Sequence, residues 1–510
     1  MKEDLSRIGN VSLIEKIMQA NRAASFIENG MVVASSGFTK SGDSKAVLLA
    51  FAERAEFDPI KITLITGASL GQHTDARLGT AGAVSLRLPF QADPVMRTLI
   101  NEGQLMYIDE NLGETAMHLK TGIFGEIDIA VLEASSIKED GSIIPTTSVG
   151  NSAVFAALAK QIIVEINVSV PADIEGIHDI LLTGKYPDKA IIPIISAGQR
   201  VGRDSIPCDP EKIIGIVFTD KKDSPADILA PDKTTQKIAS YILDFLKNEV
   251  RAGRLTNALL PLQAGIGKVA NAVLQGFAES DFGHLTIYSE VLQDSTFDLF
   301  DAGKLDFASG SSITVSQSCY ERIFDNWGSY KDKILLRPQD ITNSAEVISR
   351  LGVIAINTAL ECDIYGNVNS SHISGTDIMN GIGGSADFAQ NSYLSIFVTE
   401  STCKGNTISR VVPMVSHVDH SEHDVDILVT EQGLADLRGL APRQKAKTIL
   451  QNCVHPEYRG MLEEYFKEAC QRGGQTPHVI EKAFDCYKNL RLNGSMKRHH
   501  SLHESSLDQS

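Results

Sequence analysis

The sequence has no CxxC pair, no uninterrupted apolar stretch near the length of a membrane span, and no basic block beyond the short Met496-Lys497-Arg498. Each absence removes a class of protein. Its seven cysteines (Cys208, Cys319, Cys362, Cys403, Cys453, Cys470 and Cys486) are odd in number and scattered, which argues against a disulfide framework or a zinc ribbon and for a reducing setting. A span needs about 20 consecutive apolar residues, and the opening MKEDLSRIGN lacks the apolar core of a secretion signal. The expectation is a cytoplasmic protein with no membrane contact. Without a basic patch, the formal net charge of −17 repels nucleic acid, so no such partner is expected. Anionic small ligands are not excluded, because a few backbone N–H groups or local cations can hold them.

What is present is an ordinary globular composition, 43% apolar and 22% charged, in 510 residues, too many for one core. Short β-branched runs at 30–35, 62–65, 128–133 and 162–167 read as strands. Helical periodicity, as over 45–55, separates them and implies crossover connections and a mostly parallel sheet.

The chain also repeats itself. DIAVLEASSIKEDGSII at 128–144 has the grammar of VIAINTALECDIYGNV at 353–368, and GNSAVFA at 150–156 returns as GGSADFA at 383–389 with five of seven residues identical. Each copy then runs into a strand, QIIVEIN or YLSIFVT. Matched order and spacing predict an α/β fold of two tandem related domains with mostly parallel sheets, plus C-terminal helices. The expected division is 1–220, a linker at 221–236 rich in charge and proline, 237–490 including the helices, and a disordered tail at 491–510.

Within the second copy, HLTIYSEVLQD at 284–294 places Glu290 just past an apolar strand, the side of a parallel sheet on which ligands bind. Taken alone, a strand-end glutamate is more often a solvated loop residue than a reagent. The repeat changes that balance: the run at 285–288 takes the place of Leu64 and Ile65, so Glu290 stands level with Gly67 and Ala68. One copy offers a carboxylate where the other has only small residues, which fits a catalytic copy beside a structural one, with a ligand cleft between them.

Two glycine loops flank this carboxylate. LQAGIGKVANAVLQG at 262–276 carries Gly265, Ile266 and Gly267 ahead of a helical run, and NGIGGSADF at 380–388 carries Gly383 and Gly384. A glycine loop entering a helix exposes N–H groups that hold a phosphate or a developing oxyanion. Gly265, Gly267 and Ala270 also satisfy a relaxed dinucleotide fingerprint, but Pro261 interrupts the strand leading into the first glycine. The plainest reading is a tight turn ahead of a packed helix. Asn343 in QDITNS and Glu431 in VTEQGLADLRG are further polar residues near strand or loop ends, where caps and turns are also common. His417, His420 and His423, with Asp419 and Asp424, are spaced like zinc ligands on a helix, but HVDHSEHD lacks apolar periodicity and reads as a loop. No metal is expected. A non-enzymatic binding role would leave an acid between two glycine loops without a purpose.

Together YSEVLQD, QAGIGKVANAVL, IYGNVNSSH, NGIGGSADFAQNSYLSIF, VVPMVSHVDH and VTEQGLADLRGL resemble the acetyl-CoA hydrolase/transferase family of class I coenzyme A transferases, notably its succinyl-CoA:acetate CoA-transferases. The resemblance covers the chain up to its tail. It implies that Glu290 matches the catalytic glutamate, which forms an acyl-glutamyl anhydride and then a glutamyl-CoA thioester. It implies that the N–H groups of Ile266 and Gly384 are oxyanion donors, and that Asn343 and Glu431 contact or position the glutamate. Coenzyme A is then a substrate, no bound cofactor is needed, the partners are an acyl-CoA and a small carboxylate, and a homodimer is expected. Hydrolysis of the same thioester by water is the alternative outcome. The sequence departs from its relatives at Lys40, Asp43 and Ser44, where glycine, an aromatic and proline are usual, and at Ser224, where some succinate-using relatives carry arginine. Lys221 and Lys222 are the nearby cations that stand as candidates to replace it.

Overall fold

The computed structural model describes residues 4–226 and 230–498. The β-branched runs form a seven-stranded sheet in the order Met106–Tyr107, Val84–Leu88, Ile62–Ile65, Val32–Ser35, Ile129–Ala134, Gln161–Asn167, Ile213–Thr219. Each neighbouring pair is parallel. Ile129–Ala134 is buried at every position, as an interior strand covered on both faces must be. Helix Val47–Ala55 lays Val47, Leu48 and Phe51 onto this sheet.

The second copy repeats the order with Ile334–Leu336, Leu305–Gly310, Leu285–Tyr288, Leu262–Ala264 and Ile354–Thr358, again parallel. The register repeats too. Val33, Ala34 and Ser35 pair with Ile129, Ala130 and Val131, as Leu262, Gln263 and Ala264 pair with Ile354, Ala355 and Ile356. Val33 also pairs with Leu64, and Leu262 with Ile287. Counting on from Leu64 and Ile287 makes Gly67 the counterpart of Glu290.

The chain nevertheless divides into compact units at other places than 221–236. One unit runs to Asn357 and adds Ile378–Ser395; the other holds Thr358–Asp377 and the chain from Ile396. Both strand sets named above fall within the first unit, apart from Thr358. The expected linker is instead a strap. Asp223 pairs with the Lys45 ammonium at 2.8 Å, accepts from the Gly42 N–H at 3.0 Å, and is bonded by the Thr147 hydroxyl. Ser224 Oγ accepts from the Gln72 N–H at 2.6 Å, and the Ala226 N–H donates to Val315 at 3.0 Å. Of the charges that read as solvated in sequence, Asp223 points inward, because Lys45 lies fully buried among Asp43, Glu133 and Asp223, while Lys221 and Lys222 stay exposed. Beyond the undescribed residues 227–229, Asp232 caps helix Lys233–Arg251 with a capping box.

In the second unit, Ile396, Phe397 and Val398 pair in parallel with Ile427, Leu428 and Val429, as Gln161–Asn167 does with Ile213–Thr219, and Gly433–Asp436 adds an antiparallel strand. Helices Pro442–Asn452, Pro456–Arg472 and Asp485–Asn493 follow. The expected disorder from 491 does not begin there. Residues 491–493 finish the last helix, Gly494 closes it in a left-handed conformation, and Met496 is 1% exposed with its N–H on the Thr407 carbonyl at 2.8 Å. An apolar side chain with somewhere to dock anchors this stretch; residues 499–510 lie outside those described. Among the described residues no helix is long and apolar enough to cross a membrane, and all seven cysteines are free thiols.

Candidate active site

Strand Leu285–Tyr288 ends on a tyrosine that the core holds. Tyr288 is fully buried and its hydroxyl donates to the Ile341 carbonyl at 2.7 Å, tying the strand end to the short helix Gln339–Thr342. Two residues on, the Glu290 carbonyl accepts from the N–H groups of Ser311 and Ser312 at 2.6 and 3.1 Å. With its backbone pinned on both sides, Glu290, half-buried as a residue, turns its carboxylate to Asn343, whose Nδ2 donates to Oε1 at 2.8 Å.

The second glycine loop reaches the same carboxylate. Gly383 adopts φ 66° and Gly384 caps helix Ser385–Asn391. A Cβ on Gly384 would overlap Glu290 Oε1 and Cδ and Asn343 Nδ2, so no side chain fits there. The first copy holds the matching conformation: Gly150 has φ 50°, and Asn151 caps helix Ser152–Leu158 with φ −93° and ψ 6° against −97° and 7° at Gly384. Asn151 fits because its neighbour is Gly67 instead of a glutamate; its amide donates to Thr66 at 3.3 Å.

The two copies also exchange backbone bonds. The Gln339 N–H donates to Gly150 at 3.0 Å, and the Leu112 N–H to Gly383 at 3.4 Å. Asp109 accepts from the Ile382 N–H at 3.0 Å with both oxygens, and the Tyr107 hydroxyl donates to Asp109 at 2.9 Å. The loop carrying Gly384 is thus held by residues of the first copy. Asp387, one turn into its helix, accepts from Asn343 Nδ2 and from the Gly113 N–H, each at 3.0 Å. Asp387 and Gly113 were not singled out from sequence, although Asp387 stands inside the quoted loop motif.

Burial raises Glu290 to about 7, with the Asn343 hydrogen bond opposing. Asp387 is pushed up to about 8, first by burial and further by the charge of Glu290, against the bonds from Asn343 and Gly113. A small apolar cluster of Phe38, Ala68, Leu112 and Val291, with Phe90, brings apolar neighbours from both copies next in sequence to these groups. Two acids that cost free energy to ionise, bridged by one amide, form an arrangement suited to a carboxylate nucleophile.

The first glycine loop is a strand-to-helix turn. Pro261 precedes strand Leu262–Ala264 without interrupting it, so the argument from Pro261 against a dinucleotide site does not hold. What distinguishes the site from that reading is that the Glu290 carboxylate is engaged by Asn343 and Gly384. Gly265 is held by its N–H to Ile356 at 2.9 Å and by Gln293 Nε2 on its carbonyl at 3.1 Å. Gly267, at φ 140°, opens helix Lys268–Ala278, and Ile266 is 51% exposed. Thr39, Lys40, Ile266, Gly267, Asn271 and Gln293 line a cavity of about 180 Å³ over this loop. Of the cations near Ser224, Lys221 bonds the Lys45 carbonyl at 3.0 Å and Lys222 pairs with Glu321 at 3.2 Å.

Glu431 belongs to the second unit, in the turn between Ile427–Thr430 and Gly433–Asp436. Burial acts to raise it, but the Ser401 hydroxyl and N–H and the Gln432 amide outweigh that and hold it below the usual range. The three histidines do not converge. His417 stacks on His372 with centroids 3.7 Å apart, His420 is buried against Phe397, and His423 is exposed. Among the described residues no group of three or more potential ligands is placed to hold a metal ion.

The models of the acetyl-CoA hydrolase/transferase N-terminal and C-terminal domains match residues 9–218 and 319–466. The chain is 48% identical over 494 residues to a succinyl-CoA:acetate CoA-transferase of Clostridium kluyveri, covering 96% of this chain and 92% of that protein. It is 39% identical over 512 residues to an acetyl-CoA hydrolase of Neurospora crassa, covering 97% of each. The solved structure of RipA from Yersinia pestis superposes with TM-score 0.72 at 22% identity, over 89% of this chain and 98% of that one, a likeness of fold. On both domain models and on full-length relatives, this chain belongs to the acetyl-CoA hydrolase/transferase family.

Proposed function

We propose that the protein is a CoA-transferase working by covalent catalysis on Glu290, with acetyl-CoA and succinyl-CoA as its pair. The observation that carries this reading is the Glu290 carboxylate, fixed at a strand end, held by Asn343 and touched by a glycine that admits no side chain. The ionised Glu290 attacks the thioester carbonyl, giving an acyl-glutamyl anhydride and CoA thiolate. The thiolate attacks the glutamyl carbonyl, releasing the first carboxylate and leaving a glutamyl-CoA thioester. The acceptor carboxylate reopens that thioester by the reverse steps and restores Glu290. Each step is an acyl transfer through an oxyanion, which the N–H groups of Ile266 and Gly384 receive. The reading includes a cytoplasmic homodimer, which sizing chromatography and cell fractionation test.

The relative named as a hydrolase supports a second outcome, in which water opens the glutamyl-CoA thioester. Chromatography of CoA species after incubation with acetyl-CoA, with and without succinate, separates the two. Succinyl-CoA formed only with succinate, at constant total thioester, is the result expected. Equal release of free CoA in both samples makes the protein a hydrolase. Glu290→Ala that still transfers CoA overturns the nucleophile in either case.

A further inference from the structure

GNSAVFA and GGSADFA differ at two places, Asn151 against Gly384 and Val154 against Asp387. The first difference follows from the room that Glu290 takes. The second puts an acid where the first copy buries a valine that is 1% exposed, an exchange that costs stability unless the acid has partners. Its partners lead to Glu290. One nitrogen, Asn343 Nδ2, donates to Asp387 at 3.0 Å and to Glu290 at 2.8 Å, while Asn343 Oδ1 accepts from the Thr342 hydroxyl at 2.8 Å. An amide presents two hydrogens on one side only, so Asp387 and Thr342 select the orientation in which Glu290 receives an N–H.

We infer that Asp387 is a positioning residue, a carboxylic acid that stays protonated while Glu290 carries the charge and that fixes the Asn343 amide against it. The inference rests on Glu290 being the nucleophile proposed above. The charged groups that act most strongly on Asp387 are Glu290 and the exposed Glu114, both acids, and both disfavour its ionisation. Two carboxylates bridged by one amide titrate as a pair, and the singly protonated form is the working one. Loss of the second proton puts a further negative charge beside the developing oxyanion and slows the reaction.

The test is the pH profile of kcat/KM for CoA transfer by the full chain from pH 5 to 9, with Asp387→Asn, Asp387→Ala and Glu290→Ala. The wild type is expected to give a bell, and Asp387→Asn to keep its kcat within about 10-fold and its acid limb while losing the alkaline limb. Asp387→Ala, which releases Asn343, is expected to lower kcat by more than about 10-fold with little change in KM. A wild-type profile without an alkaline limb, an alkaline limb that persists in Asp387→Asn, or a larger loss in that variant overturns the inference. So does an Asp387→Ala enzyme that turns over within 10-fold of wild type. If the alanine variant does not fold, the near-isosteric Asp387→Asn profile decides. Transfer retained by Glu290→Ala brings down the nucleophile reading instead, which separates the two failures.

Discussion

Gly384 and Glu290 lie so close that a methyl group on the glycine would share space with the carboxylate oxygen. Gly384→Ala therefore displaces either the Glu290 carboxylate, the proposed nucleophile, or the loop whose N–H is the proposed oxyanion donor. Transfer is expected to fall about 100-fold, the usual cost of one misplaced oxyanion donor. Steady-state rates and a melting curve check this, the melt showing that the chain still folds.

Asn343 opposes the burial that raises Glu290. Removing its amide takes away the one hydrogen bond that favours the charged form, so Asn343→Ala moves the acid limb of the pH profile up from about 7. The alkaline limb moves up with it, because the same amide also lowers Asp387. A limb that stays in place or moves down refutes the electrostatic role of Asn343.

The same burial predicts a stability effect. Glu290 has its folded value near 7, above the ordinary 4.5, so the folded chain binds the proton more tightly than the unfolded one. Folding is therefore penalised as pH rises through that window, fully above 7 and not at all below 4.5. Glu290→Gln is expected to raise Tm at pH 8 by about 1–2 °C and to leave it unchanged at pH 4.5. Calorimetry at the two values tests the sign.

Lys45 makes the largest commitment in the first copy. Three carboxylates, Asp43, Glu133 and Asp223, surround one buried ammonium, and burial alone would neutralise it. Their combined charge instead holds Lys45 well above its ordinary value, while Glu133 is pushed up to about 8 by burial. Lys45→Met leaves those acids without a cation and is expected to cost about 3–5 kcal/mol in a denaturant titration. Loss below about 1 kcal/mol would mean that the strap at 220–226 does not depend on this ion pair.

How much of this was legible before folding differs from residue to residue. Glu290 stands out in the sequence because a short β-branched apolar run marks a strand end, and because an internal copy offers a comparison at the same height. Asp387 was available by the same comparison, since the two mismatches in a seven-residue repeat are the two positions that serve the carboxylate. It was passed over because identity draws attention before difference does. Gly113 and Asp109 carry no such signal: their role comes from a backbone N–H and a carboxylate that meet the other copy only after both sheets have formed. The strap at 220–226 was misread for a physical reason. Clustered charge and proline describe a solvated linker unless a buried lysine is there to receive an aspartate, and Lys45 lies 178 positions from Asp223.

The mirrored arrangement of the halves limits how such a chain can change. A carboxylate at position 67 would run towards the Gly37 carbonyl, 2.6 Å from a first added carbon, and towards Gln339 at 3.0 Å, while any side chain at 384 collides with Glu290. Glycine with asparagine, or glutamate with glycine, each fill the same volume; glutamate with asparagine overfills it and glycine with glycine leaves it empty. The halves cannot trade roles by one substitution at a time, and the mutational path between them passes through sequences that pack badly. On the proposed mechanism duplication has not doubled the chemistry: trapping with a slow acyl-CoA should saturate at one adduct per chain, with the other half serving as its mould.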